Sequence, residues 1–329
     1  MGPHPANCSP HSIQRTELTV RIVVFSYNRG RYLHNCLDSL FRHAPHYPVT
    51  VMDDGSTDPA VDIALEAFGE RIRVIRNDRA STAYLGGLYA NMQQALDDRD
   101  SDDLALFIQD DQQIVRDLDD RDEQHWKRFF AVHPEAVELA TTFLKANRRP
   151  GSLNFHIDPE VPVYFRDDSV SRRAHFAATG LFHTARLREV NWGFMPTEGE
   201  NNQQARELGV RMGFTPYPFM MWLPNAESSK FRRKSLLHRF AEWYREVGFY
   251  PYEPMTPSEV KWLYERDLSR LPLAQEVLRP TGMKEDQQWL FEDATKSIRF
   301  IHRRLKRKKK KEAARARNKG RSHEERSGE

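Results

Sequence analysis

Two adjacent carboxylates, Asp110 and Asp111, follow the apolar run LALFI at residues 104–108. Such a run is typical of a buried parallel strand. Open α/β sheets bind ligands beyond the carboxyl ends of their strands, so this pair is predicted to face a binding site. Neighbouring acids repel each other unless a positive charge lies with them. A divalent cation carrying a nucleoside diphosphate would supply that charge, because hard oxygen ligands suit Mg²⁺ and Mn²⁺.

Three earlier strand-like runs also end in polar turns. They cover residues 18–25, 49–52 and 72–75, and the second runs into Asp53 and Asp54. Right-handed crossovers between parallel strands place such turns along one edge of a sheet. We therefore expect the polar turns to converge with Asp110 and Asp111.

Helical periodicity separates these runs. Apolar residues recur at helical spacing over 32–41 and 59–68, and a third helix is predicted after the glycines at 86 and 87. Asp58 is predicted to cap the second helix, with Pro59 in its first turn. The alternation predicts an α/β, Rossmann-like fold with a mainly parallel sheet and helices on both faces.

Three motifs resemble those of family 2 glycosyltransferases. Residues 24–29, VFSYNR, are similar to the opening of that family, and residues 51–58, VMDDGSTD, match its second signature nearly letter for letter. Residues 107–111, FIQDD, stand in the place of its metal-binding Asp-x-Asp. Order and spacing agree over roughly residues 20–220. The resemblance implies the GT-A fold, a single α/β domain with a donor half and an acceptor half.

The resemblance also implies roles for individual donor-half residues. Tyr27 and Asn28 would belong to the nucleotide-base pocket, where Asp53 or Asp54 would accept a hydrogen bond from the base. The expected donor-binding residues are Tyr27, Asn28, Arg29, Asp53, Asp54, Asn77, Gly86, Asn91 and Asp110.

The metal assignment follows from the same resemblance. Asp111 would hold Mn²⁺ or Mg²⁺, with Asp110 contacting the ribose or a metal-bound water. Gln109 stands where the commonest form of the motif has its first Asp. This departure weakens the inference of a metal without removing it.

The acceptor half should supply a base. Residues 177–182 resemble the family's segment behind the acceptor site, and residues 190–194 resemble the turn before its Glu-Asp motif. That motif corresponds here to residues 198–203, EGENNQ. Asn201 stands where an Asp is usual. Glu200 is the first choice for the catalytic base and Glu198 the second.

Composition and charge set the broader limits. Residues 303–329 hold 13 Lys and Arg against 4 Asp and Glu, whereas the other 302 residues hold 37 against 43. The basic tail favours peripheral contact with an anionic membrane surface, and nucleic acid is the weaker alternative. We expect a cytoplasmic protein at the inner face of the membrane, because the sequence has no apolar stretch near the roughly 20 residues of a membrane helix. Cys8 and Cys36 indicate neither a disulfide framework nor a metal site.

The predicted organisation has four parts. A flexible arm at 1–17 precedes a GT-A domain at 18–225, which divides into a donor half at 18–115 and an acceptor half at 116–225. A helical extension at 226–302 and a disordered basic tail at 303–329 follow. Within the extension, helical stretches are predicted around 257–271 and 284–305.

The predicted function is transfer of a hexosyl unit from a nucleotide-diphosphate sugar to a hydroxyl group. The expected donor is a UDP-sugar, and the expected acceptor is a glycan, a lipid-linked molecule or a protein. Inversion at the anomeric carbon and metal assistance are expected. A non-catalytic nucleotide-sugar-binding protein is one alternative. A nucleotidyltransferase is another, although residues 26–30, SYNRG, differ from the Gly-rich basic loop it needs.

Overall fold

The computed structural model describes residues 19–77, 87–98, 103–146, 153–167, 175–227, 235–291 and 294. Within them lie the strands β1 Val20–Ser26, β2 Val49–Asp53, β3 Ile72–Arg76, β4 Leu104–Gln109, β5 Gln112–Ile114, β6 Ala136–Ala140, β7 Phe155–Ile157, β8 Tyr164–Arg166, β9 Gly180–His183, β10 Arg211–Phe214 and β11 Met220–Trp222. The main sheet has the order β3-β2-β1-β4-β9-β6-β10-β8-β7, and β11 pairs separately with β5.

The helices lie between and after these strands. They are α1 Gly30–His43, α2 Pro59–Phe68, α3 Gly87–Asp97, α4 Asp120–Val132, α5 Thr184–Glu189, α6 Glu198–Glu207, α7 Leu236–Tyr244, α8 Pro257–Glu265 and α9 Ala274–Val277, with a 3-10 turn at Gly69–Arg71. Asp58 caps α2 as predicted, since its side chain accepts a hydrogen bond from Ala60 N at 3.0 Å. No helix in the described part of the chain is long and apolar enough to cross a membrane.

The first four strands run parallel and end together. Ser26 lies opposite Asp53, and Asp53 lies opposite Arg76. Phe25 lies opposite Gln109, which brings the end of β4 level with the end of β1. The predicted convergence of polar turns at one edge of the sheet is confirmed.

Alternate residues of β1 enter different cores. Ile22 and Val24 pack with residues of α1, α2 and α4. Val23 and Phe25 pack on the opposite face with residues of α3, α5 and α6. This alternation, which follows from the two-residue period of a strand, confirms the predicted α/β fold with helices on both faces.

The acceptor half breaks the parallel order. Strand β9 is antiparallel to both β4 and β6. It begins at Gly180, whose φ is +151°, and a Cβ there would lie 2.9 Å from Leu139 O. Glycine is therefore required where β9 enters the sheet.

The segment after residue 225 shares a core with the sheet domain. Tyr32 of α1 packs in one cluster with Leu223, Tyr252 and Leu263. The Tyr32 hydroxyl also donates to Gly248 O at 2.9 Å. Packing is continuous across the predicted boundary at 225/226, and the predicted arm at 1–17 and tail at 303–329 lie outside the described residues.

Two predicted helices of the extension differ from the structure, the second of them over residues 284–291, beyond which only residue 294 of that stretch is described. The stretch at 257–271 is helical only to Glu265, because Arg266 has an extended backbone. The chain then turns, and Arg266 Nε donates to Arg270 O at 3.0 Å. The stretch at 284–305 is not helical over 284–291. There Leu290 N donates to Asn225 Oδ1 at 2.8 Å, and Leu290 O accepts from Asn225 N at 2.7 Å. These two bonds hold this part of the chain in a non-helical conformation.

Candidate functional site

An arginine and two carboxylates meet at the edge where the strands end. Arg29 Nη1 lies 2.6 Å from Asp111 Oδ2 and 3.5 Å from Asp110 Oδ1. Asp110 Oδ2 also accepts a hydrogen bond from Tyr27 N at 3.0 Å. The loop after β1 and the loop after β4 are thus joined through the carboxylate pair.

The electrostatics of this group reflect its burial. Burial raises the pKa of Asp110 to about 6, an effect that the charge of Arg29 opposes and the charge of Asp111 increases. Asp111 Oδ1 is buried and has no hydrogen-bond partner among the described residues. A buried carboxylate oxygen without a partner is costly, so it is a strong candidate for contact with a ligand.

The donor chemistry of the pair fits Mn²⁺ or Mg²⁺. Both residues offer hard carboxylate oxygens, and Asp111 Oδ1 is available for coordination. The described residues contain no group of three or more His, Cys, Asp or Glu side chains that could hold a metal. A cation here would therefore share two carboxylates with Arg29 and take further oxygen ligands from a bound diphosphate and water.

Asn28 joins the first two loops. Its backbone has a φ of +51°, and its side-chain oxygen accepts hydrogen bonds from Thr57 N at 2.7 Å and Asp58 N at 3.1 Å. Asn28 N donates to Ser56 Oγ at 2.8 Å. Asn28 therefore connects the loop after β1 with the loop after β2. Its predicted contact with a base would need a hydrogen-bonding group that these contacts leave unused.

Asp53 and Asp54, the two acids of the motif at 51–58, are buried at the end of β2. Ser56 donates to Asp53 through both its backbone N, at 3.0 Å, and its hydroxyl. The Asp54 carboxylate lies at the first residue of α3, where a Cβ on Gly87 would come within 1.5 Å of Asp54 Oδ2. The glycine at 87 is thus explained by the close approach of Asp54, and the predicted contacts of both acids with a base stay predictions.

Asn77 and Asn91, both predicted to bind the donor, are in contact with each other, and their role in donor binding stays a prediction. Asn77 Nδ2 donates to Asn91 Oδ1 at 2.7 Å and to Gln94 Oε1 at 2.8 Å. Asn77 N donates to Asp53 O at 2.9 Å, which fixes this amide cluster beside the second motif. Sequence reasoning missed Gln94, although it lies three residues after Asn91 on the same helical face. Gly86 lies outside the described residues.

The candidate bases lie in the first turn of α6. Thr197 caps this helix, and its hydroxyl also donates to Glu200 Oε2 at 2.8 Å. Glu200 is exposed, and its carboxylate is part of the helix cap. Glu198 is half-buried. Asn201 is fully buried and bonds Met195 N at 2.9 Å and Met195 O at 2.8 Å, so the amide at the usual Asp position holds the preceding turn.

Glu138 is a buried acid that sequence reasoning missed. It lies in β6 with no exposed surface, and its two carboxylate oxygens accept from Ala177 N at 3.2 and 3.0 Å. Burial raises the pKa of Glu138 well above its usual value, and the charge of Glu198 adds to that rise. The signal in the sequence was a single acid within the apolar run AVELA at 136–140.

No curated protein matches this chain. Among solved structures, the mannosyltransferase PcManGT from Pyrobaculum calidifontis, in complex with GDP-Man and Mn²⁺, aligns with 15% identity and a TM-score of 0.40 over 71% of this chain and 64% of its own. The galactosyltransferase LgtC, in complex with donor and acceptor sugar analogues, aligns with 16% identity and a TM-score of 0.37 over 58% and 72%. The WbbM bifunctional glycosyltransferase aligns with 13% identity and a TM-score of 0.38 over 61% and 39%.

One family model matches the donor half. It is that of glycosyl transferase family 2, and it covers residues 21–122, just under a third of the chain. The matched residues span β1 to the start of α4 and include Arg29, Asp110 and Asp111. The segment from 21 to 122 is therefore similar to glycosyl transferase family 2.

Proposed function

We propose that this protein transfers a sugar from a nucleoside diphosphate to a hydroxyl group of an acceptor. The observation that carries the proposal is the group of Arg29, Asp110 and Asp111 at the shared edge of β1 and β4. It combines a fixed cation with a buried carboxylate oxygen that lacks a partner. Such a group suits a ligand that carries both a diphosphate and a divalent cation.

The donor would bind across the strand ends. Mn²⁺ or Mg²⁺ held by Asp111 and Asp110 would neutralise charge on the diphosphate leaving group. Arg29 keeps the carboxylates oriented and adds a permanent positive charge beside them. Tyr27 stacks on the base, and the amides of Asn77 and Asn91 offer hydrogen bonds to the ribose.

The acceptor would bind on the side of α6. Transfer with inversion needs one carboxylate that removes the acceptor proton as its oxygen attacks the anomeric carbon. We assign this role to Glu198 ahead of Glu200, because Glu200 is exposed and bonded to Thr197 whereas Glu198 is half-buried near Glu138.

Calorimetric titration with UDP and GDP in MnCl₂ tests donor binding. Asp111→Asn removes one carboxylate charge and should weaken Mn²⁺-dependent nucleotide binding by roughly tenfold or more, since hydrogen bonds and contacts to charged groups contribute about 1.5–3 kcal/mol. Asp38→Asn, at an exposed acid that pairs with Arg42, is the matched control and should bind like wild type. Equal affinity in all three proteins would overturn the assignment. A preference for UDP over GDP would support the prediction that the donor is a UDP-sugar.

Turnover separates an enzyme from a binding protein. Release of sugar from the preferred nucleotide-sugar, without acceptor, should be measurable in wild type and fall by about a hundredfold or more in Glu198→Gln. The dissociation constant for the nucleotide should stay within about twofold of wild type, because Glu198 is assigned no donor contact. Tight nucleotide-sugar binding with neither hydrolysis nor transfer would favour the non-catalytic alternative.

A further inference from the structure

Helix α7 carries an exposed apolar face. Leu236, Phe240, Trp243 and Tyr244 are 84, 55, 74 and 64% exposed. Their spacing of i, i+4, i+7 and i+8 places them on one side of the helix. Soluble proteins rarely expose several large apolar side chains together unless the patch binds something.

The opposite side holds α7 on the body of the protein. Ala241 is fully buried and His238 is 4% exposed. Ser235 Oγ caps the helix by accepting from His238 N at 3.2 Å, and Arg245 O accepts from Asn225 Nδ2 at 2.9 Å just after its end. The aromatic face is therefore turned outward on a helix whose buried side and C-terminal end contact the rest of the protein.

Positive charge accompanies this face. Residues 230–234, KFRRK, hold four basic residues immediately before α7. Arg239 is exposed, and its position in the helix borders the apolar face. The acid of α7, Glu242, lies on the inward side, 3.2 Å from His238 Nε2.

We propose that the apolar face of α7 is a docking surface for an anionic lipid bilayer. Leu236 and Phe240 would enter the boundary between headgroups and acyl chains, while Trp243 and Tyr244 suit the interfacial layer where amphipathic rings concentrate. Arg239, which borders this face, would lie against lipid phosphates.

A second copy of the chain fits this face less well. Four side chains on a nine-residue helix expose less area than the roughly 800 Å² per partner of a stable protein interface. A symmetric contact would also bring Arg239 of both copies to one interface, and like charges repel. An anionic surface complements both the apolar side chains and the charge.

Docking through α7 would bring the sheet edge close to the membrane. Asp111 O accepts from Leu223 N at 2.8 Å, and Asn225, two residues later, bonds Arg245 O and accepts from Gly248 N at 2.9 Å. A short, hydrogen-bonded segment thus joins the carboxylate pair to the end of α7. The inference holds whichever group the protein transfers, and it differs from anchoring by the tail at 303–329.

Vesicle sedimentation with the full chain tests the proposal. Phosphatidylcholine vesicles with about a quarter phosphatidylglycerol should bind wild type in a salt-sensitive manner. The double variant Phe240→Ser with Trp243→Ser should lower the partition coefficient by roughly tenfold or more, because both rings leave the bilayer boundary. Ile63→Ser, at a helical residue that is 65% exposed on α2, is the matched control and should bind like wild type. Thermal melting checks that each variant is folded.

A second measurement keeps an aromatic ring at residue 243 and therefore disturbs the helix less than the double variant. Brominated lipids should quench tryptophan emission on binding, and Trp243→Phe should remove most of that quenching while binding persists. Deletion of 306–329 should leave the quenching in place.

Three results would overturn the proposal. The first is full binding by the double variant, and the second is quenching that is unchanged in Trp243→Phe. The third is a dimer in light scattering that the double variant abolishes, without vesicle binding by wild type, which would identify the face as an interface between copies.

Discussion

Arg116 and Arg29 both pair with buried carboxylates, yet their surroundings differ. Arg116 makes a two-pronged contact with Asp122, at 2.8 and 2.7 Å, and also donates to the backbone oxygens of Tyr217 at 2.7 Å and Asp117 at 2.9 Å. Its side chain is 1% exposed. Arg29 instead approaches two carboxylates through one nitrogen, and its side chain is 16% exposed.

The carboxylates of the two ion pairs, Asp122 and Asp111, also differ in how many hydrogen bonds they accept. Asp122 also accepts from Asp119 N at 3.2 Å and from the Tyr264 hydroxyl at 2.9 Å. Asp111 keeps a buried oxygen without a partner. We call the pair of Arg116 with Asp122 saturated, because hydrogen bonds fill the capacity of its carboxylate, and it stabilises the contact between α4 and α8. The pair of Arg29 with Asp111 is unsaturated in this sense, so it retains the capacity to bind a ligand.

The largest effect is expected when the saturated pair is broken. Arg116→Met leaves Asp122 buried without its cation and should lower the free energy of unfolding by about 3–5 kcal/mol. Arg121→Met removes an arginine that is 59% exposed and pairs with Asp119, so it should cost at most about 1 kcal/mol. Urea unfolding curves measure both. Similar losses in the two variants would show that the Arg116 contact has no special structural role.

Sequence reasoning succeeded where short-range patterns decide the structure. The strand ends, the cap at Asp58 and the convergence of Asp53 with Asp110 follow from local periodicity and from the geometry of parallel strands. The need for a positive charge beside Asp110 and Asp111 was also evident. That Arg29 provides one depends on the adjacency of β1 and β4.

The rest could not be predicted because it depends on distant contacts. Tyr264 reaches Asp122 across 142 residues of sequence, and no periodicity indicates that pairing. The helical prediction over 284–291 differs from the structure because a single amide, Asn225, bonds Leu290 in place of the helical turn. The exposure of the α7 face likewise depends on tertiary packing.

A smaller effect is expected when the unsaturated pair loses its arginine. Arg29→Gln leaves Asp110 and Asp111 to repel each other and should lower the free energy of unfolding by about 2–3 kcal/mol. Mn²⁺ should restore stability, since a ligand at a hundred times its dissociation constant adds about 2.7 kcal/mol. Melting temperatures with and without MnCl₂ measure the recovery. Arg116→Met keeps the site and should gain no more from MnCl₂ than wild type does, so it should stay as far below wild type as without the metal. An absence of recovery in Arg29→Gln would argue against a cation site.

The close packing of the donor edge can be tested at Gly87. Its replacement by Ala places a methyl group on the Asp54 carboxylate, so Gly87→Ala should cost about 1–3 kcal/mol and weaken nucleotide binding. Gly193→Ala is the control, because a Cβ there meets nothing within 4 Å. Nucleotide titration and thermal melting report the two effects. Unchanged binding in Gly87→Ala would place the nucleotide away from Asp54.

The smallest expected effect concerns Glu138, a buried carboxyl that has no arginine in the contacts described for it. Because the pKa of Glu138 is raised well above 4.5, the folded protein keeps a proton that the unfolded chain releases. The unfolded state thus binds fewer protons above that pH, and stability falls as the pH rises from 4.5 toward the folded-state pKa.

Glu138→Gln removes this pH dependence and keeps an oxygen that can accept from Ala177 N. The variant should melt like wild type near pH 4 and about 2–4 °C higher near pH 8, which corresponds to roughly 1 kcal/mol in a domain of this size. Glu207→Gln, at an exposed acid on α6, should show no such divergence. A lower melting temperature for Glu138→Gln at pH 8 would mean that the ionised carboxylate is stabilised by its surroundings. Glu138 would then resemble the saturated pair of Arg116 more than a buried acid without a cation.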